Sequence, residues 1–215
     1  MKAYKVFVFD LDGTLLDTLD DLYHSVNEAL RVYGLPLRTR EEVRAFVGNG
    51  IVKLMERAVG IPNHPNLAEI VAEFKRYYKE HCTDYTKPYE GITPLLQTLK
   101  EKGIKTAVVS NKADFAVKML AKDYFDGLLL AAVGENEEGG VRKKPAPDSL
   151  FFVMEALGAT AEETVYIGDS ETDVATAKNA GVACISVTWG FRDRDLLIES
   201  GATTFVDEPK EILAF

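Results

Sequence analysis

With 215 residues and 47% apolar content, the chain is long enough to bury one or two globular cores. Its formal charge of −9 argues against a nucleic-acid binder, which needs a basic face, but leaves room for a small phosphorylated substrate held by a few local cations. No apolar run approaches the roughly 18 residues of a membrane span. Met1-Lys2-Ala3-Tyr4 lacks the features of a signal peptide. Two unclustered cysteines, Cys82 and Cys184, fit a cytoplasmic protein without a zinc site, and Cys184 reads as a buried core thiol.

The first element is the apolar run Tyr4 to Phe9, a short buried strand, followed at once by Asp10-Leu11-Asp12-Gly13-Thr14. Residues two apart on an extended segment point the same way, so Asp10 and Asp12 share one side of the strand's carboxyl end. Paired acids there repel unless a cation or a proton lies between them. Residues 17–86 then read as helices only. The first has Leu19, Leu22, Val26, Ala29, Leu30 and Tyr33 at helical spacing; the others cover 41–47, 51–59 and 67–81, with Gly48-Asn49-Gly50 as a tight turn.

From about Pro88 the pattern alternates. Helices are expected from Thr93-Pro94 to Gly103, over 113–121, from Pro147-Asp148-Ser149 to Gly158, and over 171–180. Strands are expected over 106–109, 128–133, 164–167 and 183–187. Such alternation means right-handed βαβ units and a parallel sheet. The expected fold class is α/β: a doubly wound, Rossmann-like core made of residues 1–16 and 87–215, with an α-helical domain at 17–86 inserted after the first strand.

Chemistry-bearing residues collect after the strands. Ser110-Asn111-Lys112 offers a hydroxyl, an amide and free N–H groups suited to a phosphate, although an ordinary helix cap explains Ser110 or Asn111 as well. Lys144, set in the Pro-rich stretch Lys143-Lys144-Pro145-Ala146-Pro147, presents an ammonium from a rigid loop, or simply a solvated basic segment. Gly168-Asp169-Ser170-Glu171-Thr172-Asp173 offers hard oxygen ligands of the kind Mg²⁺ takes, and Ser170 with Asp173 also forms a capping box. In open α/β sheets, ligands bind off the carboxyl ends of the strands, so the four groups converge on one edge. His24, His64 and His81 show no metal spacing, and Trp189 and Phe191 read as packing residues.

In this order the motifs resemble those of the haloacid dehalogenase superfamily. Phe9-Asp10-Leu11-Asp12-Gly13-Thr14-Leu15 matches its first motif; Ser110, Lys144 with Pro145, and Gly168-Asp169 through Asp173 match the other three. The stretch 17–86 resembles the family's helical cap. The resemblance implies Asp10 as nucleophile, Asp12 as acid–base, and Ser110, the backbone of Asn111 and Lys144 as phosphate ligands. It also implies Mg²⁺ held by Asp10, the carbonyl of Asp12 and Asp169, with Asp173 acting nearby through water or by positioning Lys144. Asp12 points to cleavage of an oxygen ester, and Thr14 follows the phosphatase form where sugar phosphomutases often carry valine.

Leu16-Asp17-Thr18-Leu19-Asp20-Asp21-Leu22, Phe46-Val47-Gly48-Asn49-Gly50 and Thr188-Trp189-Gly190-Phe191 are similar to strings of the phosphoglycolate phosphatase group. Gly48, Asn49 and Gly50 are thereby expected to form a substrate loop. The implied function is a Mg²⁺-dependent phosphatase working through an aspartyl-phosphate on a small phosphorylated metabolite, as a monomer or homodimer without membrane or nucleic-acid partners. The alternatives are a phosphomutase of the β-phosphoglucomutase kind, or a pyrophosphatase or nucleotidase. Nothing in the sequence supports a non-catalytic binding protein.

Overall fold

The structure, a computed structural model, describes residues 4–136 and 139–215. Its centre is β1 (Val6–Phe9), whose four side chains alternate between two faces, both covered. Phe7 and Phe9 pack with Leu95, Leu96 and Leu99 of α5 (Ile92–Glu101) and Val117 and Leu120 of α6 (Asp114–Phe125). Val6 and Val8 pack with Leu150 and Val153 of α7 (Asp148–Leu157) and Ala177 of α8 (Glu171–Ala180). Burial on both faces is why the strand is apolar at every position. Fully burying a phenylalanine such as Phe9, 0% exposed, contributes about 1.5–3 kcal/mol.

β1 lies between β4 (Lys105–Ala113) and β6 (Thr164–Gly168), paired in parallel with both. The six-stranded order is β5-β4-β1-β6-β7-β8, with β5 (Ala131–Glu135), β7 (Ala183–Val187) and β8 (Phe205–Val206), all neighbours parallel. The chain builds outward from β1 to β5, then crosses back to β6 on the other side of β1. That reversal opens a crevice at the strands' carboxyl ends, beside Asp10.

A two-residue antiparallel ribbon, β2 (Leu16–Asp17) with β3 (Lys87–Pro88), carries the chain out and back. Between its strands stand α1 (Leu19–Val32), α2 (Arg40–Phe46), α3 (Ile51–Val59) and α4 (Leu67–His81). They pack around their own apolar cluster, which includes Leu22, Val26, Leu54, Ile70 and Phe74; Ala116 and Phe191 join it from the other part of the chain. Buried Asp21 ties the return, accepting the N–H groups of Tyr85 and Thr86 at 2.9 Å each.

Several expectations shift. The helix placed at Thr93-Pro94 begins at Ile92 behind Gly91, whose φ is +86°, and no side chain caps it. The strand placed at 128–133 runs over Ala131–Glu135: Leu128 and Leu129 are apolar because they pack against the β1 cluster from a turn. β4 continues past Val109 through an irregular register to Ala113, so neither Ser110 nor Asn111 caps α6. Cys184 is half-buried rather than fully buried, packed against the Val6, Val8 and Tyr166 cluster and the small cluster around Leu197. α9 (Arg194–Glu199) and β8, both short, lie beyond the last element read from the sequence. No helix among the described residues is long and apolar enough to cross a membrane.

Candidate active site

Asp10 extends β1 by one ladder bond, donating its N–H to the Ile167 carbonyl at 2.8 Å. Its carboxylate accepts the Leu11 N–H at 2.7 Å and lies 3.0 Å from the Lys144 ammonium. Asp169 follows β6 and is held on both oxygens, by the Thr14 hydroxyl at 3.1 Å and the Phe191 N–H at 2.6 Å. Two glycines make room for it. A Cβ on Gly13, whose φ is +83°, would stand 2.4 Å from an Asp169 oxygen, and one on Gly190 would stand 2.2 Å from the Asp169 Cβ.

Asp173 closes the capping box of α8, as its spacing predicts, accepting the Ser170 N–H at 3.0 Å; the same oxygen takes the Ser170 hydroxyl at 2.6 Å while Lys144 donates to the other at 2.7 Å. Lys144, 3% exposed, thus bridges Asp10 and Asp173 and is no solvated loop residue.

Carboxylate oxygens of Asp10, Asp169 and Asp173 lie within 4.8 Å of one another, all buried. Burial, and next the charge of Asp173, push the Asp10 carboxyl up to about 7. Burial, then Asp173 and Asp10, push Asp169 up to about 8. For Lys144, burial opposes the charge, but Asp10 and Asp173 outweigh it and hold the ammonium well above its usual range.

Asp12 turns away from this cluster. Its Oδ1 accepts the Thr18 hydroxyl at 2.7 Å and the Lys112 ammonium at 2.8 Å. The cluster itself sets three carboxyl groups beside one ammonium, an excess of two negative charges among hard oxygen donors once all three are ionised. That set fits a divalent cation such as Mg²⁺.

This fit predicts how stability varies with pH. In the unfolded chain Asp10 and Asp169 ionise near 3.8, whereas folded they keep protons to about 7 and about 8. Between those values the folded state binds more protons, so their contribution to stability is full below about pH 4 and is lost as pH rises through 7 and 8. A cation that binds the ionised pair reverses that loss. The Tm increment given by millimolar Mg²⁺ over EDTA is expected to be larger at pH 8 than at pH 5.5. An increment independent of pH would show that the acids are ionised throughout.

Ser110, 5% exposed, lies in the irregular stretch of β4 and lines a cavity shared with Asp10, Asp12, Asn111 and Asp169. The Asn111 amide is committed to backbone: it accepts the Lys144 N–H at 2.8 Å and donates to the carbonyls of Lys144 and Gly48, each at 3.0 Å. Leu22, Val47, Gly48, Gly50, Ile51, Leu54, Phe74 and Tyr78 wall the same cavity from the helical side.

Of the expected substrate loop, Gly48 and Gly50 line this space. The Asn49 side chain instead links α3 to α8, donating to Thr172 Oγ1 at 3.3 Å and accepting from Arg57 at 2.7 Å. His24, His64 and His81 lie outside the cavity lining; His64 accepts the Asn66 N–H and His81 pairs with Asp84.

Lys112, Tyr78, Phe191 and Arg192 line the cavity but lay outside the expected site; Phe191, read as a packing residue, does pack with the helical cluster. Lys112 stands two positions after Ser110, and a lysine at a buried strand tip was the signal. Phe191 and Arg192 follow β7, another strand tip of the same edge. Arg192 binds Glu171 at 2.9 Å and the carbonyls of Arg44 and Val47 at 3.0 and 2.6 Å. Tyr78 sat in the α4 periodicity with nothing to separate it from its core neighbours. Trp189 packs as expected and donates to the Thr14 carbonyl at 3.1 Å.

The family model for haloacid dehalogenase-like hydrolases matches residues 7–187. A phosphoglycolate phosphatase of Pseudomonas syringae pv. syringae (strain B728a) is 33% identical, covering 99% of this chain and 79% of its own. Another, of Haemophilus influenzae (strain 86-028NP), is 31% identical over 98% of this chain and 97% of its own. A solved structure from Lactobacillus delbrueckii subsp. bulgaricus ATCC BAA-365, named as a candidate phosphoglycolate phosphatase, superposes with a TM-score of 0.92 at 37% identity, over 99% of this chain and 97% of that one. By family model and by relatives along its whole length, the chain belongs to the haloacid dehalogenase-like hydrolases, as a phosphatase.

Proposed function

We propose that the protein is a Mg²⁺-dependent phosphatase that cleaves a small phosphate monoester through a phosphoaspartate on Asp10, with phosphoglycolate as the leading substrate. The observation that carries this reading is the buried carboxylate cluster at the tip of β1, with one lysine shared between Asp10 and Asp173. An unpaired acid cluster would be costly to bury, and structural need alone does not explain it. The substrate name rests on the curated relatives.

In this reading the Asp10 carboxylate attacks phosphorus and the ester oxygen leaves with a proton from Asp12. Asp12 then takes a proton from the water that attacks the phosphoaspartate, releasing phosphate and restoring Asp10. Ser110, the Asn111 N–H and Lys144 hold the phosphoryl oxygens, where fixed donors stabilise the charge that develops. The Asp10 carboxylate, the Asp12 carbonyl and Asp169 would hold the Mg²⁺, which when bound neutralises the phosphoryl charge that would otherwise repel Asp10. Asp173 positions Lys144. Residues 17–86 act as a cap over a core of 1–16 and 87–215, excluding water and reading the leaving group.

Thr14 favours hydrolysis over the mutase alternative in the sequence reading, and its hydroxyl serves Asp169 here, a contact that valine cannot make.

The test is Mg²⁺ titration of phosphoglycolate hydrolysis. Asp169→Ala is expected to raise the half-saturating Mg²⁺ at least tenfold and to lower kcat. An unchanged titration would reduce Asp169 to a loop anchor for Thr14 and Phe191.

A further inference from the structure

Two cations among the described residues line the cavity, Lys112 and Arg192. The guanidinium of Arg192 is taken up by Glu171 and two carbonyls. Lys112 is placed differently. It is 6% exposed, and its ammonium lies 2.8 Å from Asp12 Oδ1 and 4.8 Å from the ring centre of Tyr78. Lys112 also reaches Asp12 Oδ2 at 3.2 Å, and Thr18 donates to Oδ1 at 2.7 Å, so two of the three ammonium N–H groups serve Asp12 and one is left for a further anion.

Tyr78 reaches the cavity from α4, across from the sheet, and is 2% exposed. Its hydroxyl has no partner at hydrogen-bond distance among the described residues, and the Lys112 ammonium is the charge beside it. Burying an unpaired hydroxyl is costly, and a ligand is one thing that supplies the missing partner. The walls on the helical side are apolar, with Leu22, Ile51, Leu54 and Phe74. In such surroundings an anion binds its cation more strongly than in water.

The geometry points to a carboxylate subsite formed by Lys112 and Tyr78, which selects esters whose leaving group is an acid. One carboxylate oxygen takes the Lys112 ammonium and the other takes the Tyr78 hydroxyl. The subsite deepens the phosphatase reading and rests on it. Because Lys112 comes from β4 and Tyr78 from α4, it is complete only while the helices lie against the sheet.

The experiment measures kcat/KM for phosphoglycolate and for ethyl phosphate, which carries a methyl group in place of the carboxylate. Wild type, Lys112→Met and Tyr78→Phe are compared with Mg²⁺ present. Wild type is expected to prefer phosphoglycolate by about a hundredfold or more. That ratio is expected to fall about tenfold in Tyr78→Phe and by a larger factor in Lys112→Met. Inhibition by glycolate should weaken in parallel, while Tm of Tyr78→Phe stays level or rises because an unpaired hydroxyl is gone.

A wild-type ratio near one, or ratios unchanged in both variants, overturns the subsite while the phosphatase reading stands. No hydrolysis of either ester by wild type would defeat the phosphatase reading itself. If Lys112→Met fails to fold, Tyr78→Phe alone decides through its ratio and its glycolate inhibition.

Discussion

Asp10→Asn is expected to lower kcat on the order of 10⁴-fold or more while the protein stays folded. An amide oxygen is too weak a nucleophile to attack phosphorus at a useful rate. It nevertheless fits the same space and still accepts from the Leu11 N–H and the Lys144 ammonium, as Asp10 Oδ1 does. Removing one of three crowded carboxylates also relieves repulsion, so in EDTA at pH 8 the variant's Tm should equal or exceed that of wild type. Steady-state kinetics and thermal denaturation on one preparation check both halves. Activity within tenfold of wild type would mean that Asp10 is not the nucleophile.

Lys144→Met is expected to be the most destabilising single change near the site. It removes the one cation shared by Asp10 and Asp173 and leaves both buried and unpaired beside Asp169. Breaking a buried pair in this way costs about 3–5 kcal/mol at neutral pH. The loss should shrink as pH falls through 8 and 7, where Asp169 and Asp10 take up protons and no longer need a counter-charge. Urea unfolding at pH 8 and pH 5.5 checks this. A loss below about 1 kcal/mol at both values would place the pair with weak surface bridges.

Elements bounded by chemical punctuation could be read from the sequence to the residue. α8 starts behind the Ser170 cap and stops at Gly181, and α3 lies between Gly50 and Gly60. β7, a β-branched run between a glycine and a loop, was equally plain. β5 was misplaced because apolarity alone cannot separate Leu128 and Leu129, which pack from a turn, from the strand that follows. The acids and Lys144 were legible because each follows a strand, and a parallel sheet brings strand ends together.

Their partners were not legible. The Lys112–Asp12 pair joins residues 100 positions apart, and Phe191 meets Asp169 across 22, contacts that only the folded chain brings together. Asn49 shows the opposite error. Its turn is where a substrate loop belongs, but its amide is drawn to Thr172 of α8 and Arg57 of α3, partners that only the folded chain brings near.

In the proposed reaction phosphate passes through a covalent bond to Asp10. Asp12→Asn should slow the breakdown of that bond, because water then lacks its base. Mixing this variant with Mg²⁺ and p-nitrophenyl phosphate, whose phenolate leaves without a proton from Asp12, quenching in acid within seconds and mapping peptides by mass spectrometry tests this directly. The account predicts one phosphoryl group on the peptide that carries Asp10, absent in EDTA and absent when Asp10→Asn is added to the variant. Phosphate release by the wild type with no such adduct at any quench time would contradict it, and would assign hydrolysis to direct attack by water.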